Sequence, residues 1–533
     1  MRAADNRHFI LQKTEALPPV EMAGVTRAAG IIATGNVASR VLGLVRDTVK
    51  SNYFGASGAV SAFDMAAKVP MWIYDLLAGG MLSAALVPVF SEYARAERRA
   101  ELWQVASFLL TISAIALAVL TLLGELFAPQ LAWLVGGGLS PELLQLTTSL
   151  LRITLPTMLF LNLAGILAGL LFALQRFTRP AFNAAMFNLG IVAATLLFAR
   201  KYGVYAMAGG MLCGAALQLL LQFSGLLDAR LVPVLNWRQP ALQRIARLYL
   251  PIVLGLLVDM TSRAVSYRLA SSTGDQSIAW MGYATTLMQF PLGLTSIAVS
   301  AAILPTLARQ AAAVEQREFL QTLAHGLRLV ILLIIPAVAG MYVLAGPIVR
   351  LLFEHGGFLQ ADTMMTVIVL RLYLLGVVAA AVDLPLVNAF YARQDAWTPA
   401  MVGLAGVGVY LAAALVPALF RPMQLQDLIV ANAVQLTAHA LCMWWFLHAR
   451  VGTLAGNGLL RVTLQASGAA ALMVAATLAS LELLQRWQSI GGLAGELLLV
   501  ALPAVCGAAI YFGVLLLARV PEARQLLPRP AAH

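Results

Sequence analysis

The chain has 533 residues, of which 61% are hydrophobic and only 11% charged, and its mean hydropathy is +0.84. A soluble domain averages about 25% charged residues, so a chain this apolar could not cover a water-facing surface; it reads as an all-α polytopic membrane protein. The net charge of +11 would suggest nucleic acid in a soluble protein, but here it fits basic loops on one membrane face, and no nucleic-acid partner is expected.

Residues 1–25 are polar and mixed in charge and read as a cytoplasmic tail, with no apolar run of signal-peptide length ahead of the first span. Apolar runs of about 20 residues suit membrane-spanning helices. About fourteen follow, near 26–51, 59–91, 104–127, 145–174, 179–199, 204–226, 246–271, 277–308, 319–345, 364–392, 398–417, 427–448, 461–484 and 492–517.

The first two spans carry Arg40, Arg46, Asp47, Asp64, Lys68 and Asp75. A charge at the centre of a spanning helix costs at least ~2.5–3.5 kcal/mol on insertion scales, so these residues need water, partners or a ligand. Ser61, Asp64, Lys68, Met71 and Asp75 share one helical face. Asp64 and Lys68 also have the spacing of a local ion pair. Asn36, Arg40, Gly43 and Asp47 share a face of the first span, while Arg46 and Asp47 near Lys50 could instead mark the membrane boundary. In the seventh span Asp259, Arg263 and Ser266 share a face, with Arg268 turned away. Asp259 and Arg263 repeat the ion-pair spacing, and Asp383 lies beside Pro385 in the tenth span. For Asp47, Asp75, Asp259 and Asp383 a coupling role and a structural role both stand.

An even number of spans puts both termini on one side. With the termini in the cytoplasm, roughly 21 Lys/Arg fall on the cytoplasmic side, against about six opposite: Lys50, Arg200, Lys201, Arg350, Arg421 and Arg486. That asymmetry is what orients membrane proteins. The chain also repeats itself. RFTRPA with Pro180 and DAWTPA with Pro399 are offset by 219 residues, as are Arg152 and Arg371. The pair Pro70 and Pro88 has a counterpart in Pro291 and Pro305. The expected plan is therefore two parallel pseudo-repeated six-helix lobes plus two C-terminal helices. The lobes cover 26–227 and 246–450, joined by a cytoplasmic linker at 228–245. Two further spans occupy 451–518 and a cytoplasmic tail 519–533. A substrate site is expected between the lobes.

Catalytic and cofactor signals are missing. No G-x-x-x-x-G-K-[ST] occurs, the six histidines form no ligand-spaced pair, and Cys213, Cys442 and Cys506 each stand alone in apolar runs. No enzyme activity, metal or cofactor is expected.

The segments SRVLGLVRD, AFDMAAKVP with LSAALVPVFSEY, YATTLMQFPLG with AAILPTLAR, and ARQDAWTP together resemble the MurJ/MviN family. These are lipid II flippases of the multidrug/oligosaccharidyl-lipid/polysaccharide exporter superfamily, and the likeness runs over nearly the whole chain. It implies a bacterial inner-membrane protein that moves lipid II, or a related polyprenyl-diphosphate glycolipid, to the outer leaflet by alternating access, as a monomer. It also implies that cavity cations hold the diphosphate: Arg40, Arg46 and Lys68, with Asp64 as a counter-charge. The last two spans would help to hold the lipid tail. Three positions depart from the family pattern. Ser61 stands where an acid is common, and Tyr74 and Thr286 stand at arginine positions, so Arg263 or Arg268 is expected to compensate. Rival readings are an exporter of another polyprenyl-linked glycan or small molecule, and a non-transporting cell-wall scaffold.

Overall fold

The computed structural model describes residues 19–79, 86–234, 240–487 and 492–525. These are helices and short connections, with no strand among the described residues. The bilayer core offers no water to backbone groups, and helices satisfy them internally. The first half holds α1 (Pro19–Phe54), α2 (Gly58–Tyr74), α3 (Val87–Tyr93), α4 (Arg99–Leu126), α5 (Ala128–Gly136), α6 (Pro141–Thr154), α7 (Thr157–Ala173), α8 (Thr178–Ala181), α9 (Asn183–Tyr202) and α10 (Tyr205–Phe223). Then come α11 (Pro240–Ser271), α12 (Ser277–Leu294), α13 (Ser296–Ala312), α14 (Gln316–Phe353), α15 (Gln360–Ala392), α16 (Trp397–Leu415) and α17 (Leu425–Arg450). The chain ends in α18 (Leu459–Trp487), α19 (Gly492–Leu517) and the short α20 (Pro521–Gln525).

Among the described residues, eleven helical segments are long and apolar enough to cross a membrane. The three remaining long segments are α1, α2 with α3, and α11; they coincide with the first, second and seventh expected spans and carry the intramembrane charges. Two details differ from the sequence expectation. Helix α1 already begins at Pro19, so the end of the expected tail is helical. The short α5 precedes the fourth span, where no element was expected. The second span is also interrupted by a π-helical turn at Asp75–Gly79.

Three of the prolines inside the spans are accommodated in the same way. A proline removes the backbone N–H that would bond the carbonyl four residues earlier. In three helices a hydroxyl from a neighbouring helix takes over that carbonyl. Pro70 frees Ala66 O, which accepts from Thr154 Oγ1 at 2.8 Å. Pro336 frees Leu332 O, which accepts from Tyr511 Oη at 2.8 Å. Pro385 frees Ala381 O, which accepts from Ser296 Oγ at 2.6 Å. Each of these proline sites therefore doubles as a fastening between helices, and the Tyr511 fastening ties α19 to α14.

The packing divides the molecule. Helices α1, α7, α9 and α10 pack on one another, as do α12 to α17, and α18 and α19 lie against α14. At the end of the bundle that holds Phe54, Gly138 and Phe353, one hydrophobic core draws on both halves, from Val60 and Leu150 to Tyr283 and Phe353. Toward the other end the cores separate. One gathers around Phe90, Trp103 and Leu170, the other around Leu307, Phe319 and Phe390. The halves are thus joined at one end and part toward the other. The joined end is sealed by backbone contacts. Gly357 N donates to Asn52 O at 2.8 Å, Gly138 N to Ser271 Oγ at 3.1 Å, and Ser140 N to Asp275 Oδ1 at 3.0 Å. Gly55 ends α1 with a φ of +61°, the left-handed conformation that suits glycine there. A Cβ at Gly55 would lie 2.1 Å from Gly357 O, so the approach needs glycine on both counts.

Candidate functional site

The intramembrane charges assemble where the halves meet, one to two turns inside the joined end. Arg46, Asp47 and Lys50 come from the last turns of α1, and Asp64 from the second turn of α2. Lys50 is the centre. Its Nζ lies 3.1 Å from both carboxylate oxygens of Asp64, 3.8 Å from Asp47 Oδ1 and 4.6 Å from the centre of the Tyr283 ring. Arg46 closes the other side: its Nε donates to Asp47 Oδ1 at 3.0 Å and its Nη1 to Asn188 Oδ1 of α9 at 3.1 Å. Asp47 and Lys50 are 1% and 4% exposed. Two cations and two carboxylates cancel, so a cluster this buried needs no outside counter-ion.

The second half completes the cluster through α12. Thr286 Oγ1 donates to Asp47 Oδ2 at 2.7 Å, Tyr283 Oη donates to Gly55 O at 2.8 Å, and Ala279 N donates to Ser61 Oγ at 3.1 Å. Gly282 leaves room for Asp64: a Cβ there would stand 2.9 Å from Asp64 Oδ2. Deeper along the same two helices, the Arg40 guanidinium lies against Gly293, where a Cβ would overlap it at 2.1 Å. The contacts keep one antiparallel register. Going from Lys50 to Asp47 to Arg40 along α1 matches going from Tyr283 to Thr286 to Gly293 along α12.

The expected site residues therefore split into two sets. Arg46, Asp47 and Asp64 are consumed by internal partners. The expected Asp64–Lys68 pair does not form: Lys50 is the partner, because α1 brings its ammonium group onto the same carboxylate. Asp47 and Lys50 are buried within the cluster rather than on the protein surface. Arg40 and Lys68 are both half-buried. Among the described residues neither makes a hydrogen bond or ion pair. Lys68 is one turn further from the joined end than Asp64, and Arg40 two turns further than Asp47, roughly 10 Å at 1.5 Å per residue. Both sit on the side where the halves part.

The remaining candidates lie elsewhere. Arg268 stacks over Trp133 of α5 at 5.4 Å, and so is placed over α5 rather than beside Thr286. Arg263 and Asp75 are exposed, and the Asp259 side chain lies outside the described residues. Asp383 pairs with His439 of α17, Oδ1 to Nδ1, at 2.9 Å. Sequence reasoning missed four participants: Lys50, Tyr283, Asn188 and His439. Lys50 had a usable signal, since it follows Asp47 by three residues on the same helix face. Asn188 and His439 had none, because their partners are 142 and 56 residues away.

The chain is similar to known proteins over most of its length. The family model described as lipid II flippase MurJ matches residues 50–495. A lipid II flippase MurJ from Burkholderia cenocepacia is 29% identical over 508 residues, 92% of this chain and 96% of that protein. A probable lipid II flippase MurJ from Haemophilus influenzae is 30% identical over 428 residues, 76% of this chain and 83% of that protein. Among solved structures, a lipid II flippase MurJ in an inward closed conformation superposes with a TM-score of 0.74 at 21% identity, over 91% of this chain and 99% of that one. An inward-facing MATE multidrug transporter of the MOP superfamily gives 0.62 at 15% identity, over 81% of this chain and 95% of that one.

Proposed function

This chain belongs to the lipid II flippase MurJ family, and on that premise we propose that it carries lipid II across the bacterial inner membrane by alternating access. Lipid II is a polyprenyl diphosphate bearing a disaccharide-pentapeptide, so its recognition needs cations that are not already neutralised. The observation that carries the assignment is the split within the charged residues. Arg40 and Lys68 lack internal partners among the described residues, while Arg46 is spoken for by Asp47 and Asn188. Arg40 presents a planar fork matched to phosphate oxygens and Lys68 a point charge. The Arg46–Asp47–Lys50–Asp64 cluster acts as a brace behind them, holding the halves together at the joined end.

The orientation follows the charge bias. The end where the halves part carries Arg176, Arg179, Arg309, Arg393 and Arg450, which supports placing it, and both termini, in the cytoplasm. The lobes run over 26–227 and 246–450 about the linker at 228–245, and one chain supplies both walls of the cavity, so it works as a monomer. Substrate enters from the cytoplasm and meets Arg40 and Lys68. The joined end then opens as the brace loses its α12 contacts. The test is complementation: expression of this chain should restore growth and peptidoglycan synthesis in a bacterium depleted of its own lipid II flippase. Failure of a well-expressed, membrane-inserted chain in several such hosts would overturn the reading.

A further inference from the structure

Asp383 and His439 form a half-buried acid–imidazole pair in the second half, away from the α1–α2 cluster. His439 lies near the middle of α17, 11 residues from its Arg450 end, or roughly 16 Å of helix, about half the ~30 Å hydrocarbon thickness. Each side chain keeps 18% of its exposure. A carboxylate only accepts, so in the form of the pair with Asp383 as a carboxylate His439 donates through Nδ1–H. Its Nε2 has no hydrogen-bond partner among the described residues, and Gly406 of α16 lies beside the ring, where a Cβ would come no nearer than 3.9 Å to His439 Cδ2. An intramembrane ionisable pair with one vacant nitrogen is placed to take up a proton: Nε2 gains it, and the neighbouring carboxylate balances the new charge.

Around the pair, α15 itself contributes Tyr391, whose hydroxyl is close enough to feel the Asp383 charge. Tyr373 also lies on α15, the neighbouring α16 carries Tyr410, and α11 carries Tyr267 and Arg263. Among the described residues no cation or further acid comes within 4 Å of Asp383 or His439.

The pair is also mechanically connected. Asp383 precedes Pro385 by two residues, in the turn whose freed carbonyl, Ala381 O, is held by Ser296 Oγ at 2.6 Å. Ser296 opens α13 directly after the break at Thr295, where ψ is −74°. The other side of that break is the end of α12, with Gly293 against Arg40 and Thr286 on Asp47. Repacking around Pro385 therefore acts on α13 and, across the break at Thr295, on the end of α12 that lies against Arg40.

We propose that Asp383 and His439 form a proton-binding site, and that one proton taken up there from the outside and released inside accompanies each substrate moved out. This rests on the flippase reading, and two experiments keep the two separable. In proteoliposomes, outward movement of a fluorescent polyprenyl-diphosphate glycolipid is followed with the membrane potential clamped, at equal pH and with the outside one pH unit more acidic. The wild type should run several-fold faster with the gradient. His439→Asn keeps a donor for Asp383 but cannot titrate. With folding and insertion unchanged by circular dichroism, it should lose the gradient response, and Asp383→Asn should lose it too. A gradient response retained by His439→Asn, or absent from the wild type, would overturn the proposal. Separately, in nanodiscs without substrate, NMR of labelled imidazoles should show one titrating histidine that disappears in His439→Asn and is altered in Asp383→Asn. If no lipid moves but this titration holds, the flippase reading fails and the proton site stands. If His439 does not titrate, the proton site fails whatever the transport result.

Discussion

Replacing Lys50 with methionine tests the brace most sharply. The Nζ–Oδ2 distance to Asp64 is 3.1 Å, so at an effective dielectric of about 20 the attraction is about 5 kcal/mol before desolvation is counted. Desolvation offsets much of that in the intact pair, but the variant keeps the cost and loses the attraction. Breaking a buried pair from one side costs about 3–5 kcal/mol. Asp47 retains Arg46 and Thr286, so the penalty falls on Asp64, which has no other partner among the described residues. Its side chain is 13% exposed, which points to the lower end, about 3 kcal/mol. Removing both charges in Lys50→Met/Asp64→Leu should bring stability back to within about 1 kcal/mol of the wild type, since replacing a whole buried pair with apolar groups is near neutral. The assay is unfolding free energy in mixed micelles, followed by circular dichroism and read as a double-mutant cycle. It is repeated with Lys68→Met, because Lys68 is one turn from Asp64 and is the natural substitute cation. A Lys50→Met variant within 1 kcal/mol of the wild type in both backgrounds, or a double variant no better than the single, would refute the reasoning.

Three further outcomes follow from the geometry. Tyr511→Phe strands the Leu332 carbonyl that Pro336 frees and should cost about 1–3 kcal/mol, loosening α19 from α14; an unchanged unfolding curve would contradict it. Gly55→Val combines a φ of +61° with a Cβ 2.1 Å from Gly357 O. It should open the joined end and lower the unfolding free energy, and an unchanged unfolding curve would count against the seal. Outside the membrane, hydrogen bonds from Arg176 hold the Asp228 carboxyl below its ordinary range, against partial desolvation. A depressed carboxyl stabilises the fold above the usual carboxylate range and loses that contribution as pH falls through its folded value. Both side chains are more than a third exposed, so after screening Asp228→Asn should cost only about 0–1 kcal/mol. That difference should be constant above pH ~5 and vanish in strong acid; a loss that grows with rising pH would have the wrong sign.

The long apolar runs made the helices legible, because a bilayer leaves them almost no alternative, and charge spacing correctly marked α1, α2 and α11 as unlike the other spans. Partner choice was not legible. Asp64 has cations at two plausible places, Lys68 on its own helix and Lys50 on the previous one. Local spacing favours the first, while the crossing of α1 and α2 delivers the second. Thr286 shows the same limit. Viewed along the chain it is a missing arginine; in the fold it is a donor to Asp47, on a helix where a further cation would face Arg46 and Lys50. The hydroxyl fastenings at Ala66, Leu332 and Ala381 could be half foreseen. Each proline announces which carbonyl it frees, but Thr154, Tyr511 and Ser296 are reached only through tertiary packing.

The central claim is that Arg40 and Lys68, rather than the charges locked in the brace, meet the diphosphate. It is tested most directly by binding of a polyprenyl-diphosphate glycolipid to purified, folded protein, comparing Arg40→Ala and Lys68→Ala with the wild type and with the charge-free brace variant Lys50→Met/Asp64→Leu. The prediction is that each of the first two variants weakens binding at least tenfold, about 1.4 kcal/mol, while the brace variant binds within about threefold of the wild type. Wild-type affinity in Arg40→Ala and Lys68→Ala, with binding lost in the brace variant, would contradict it.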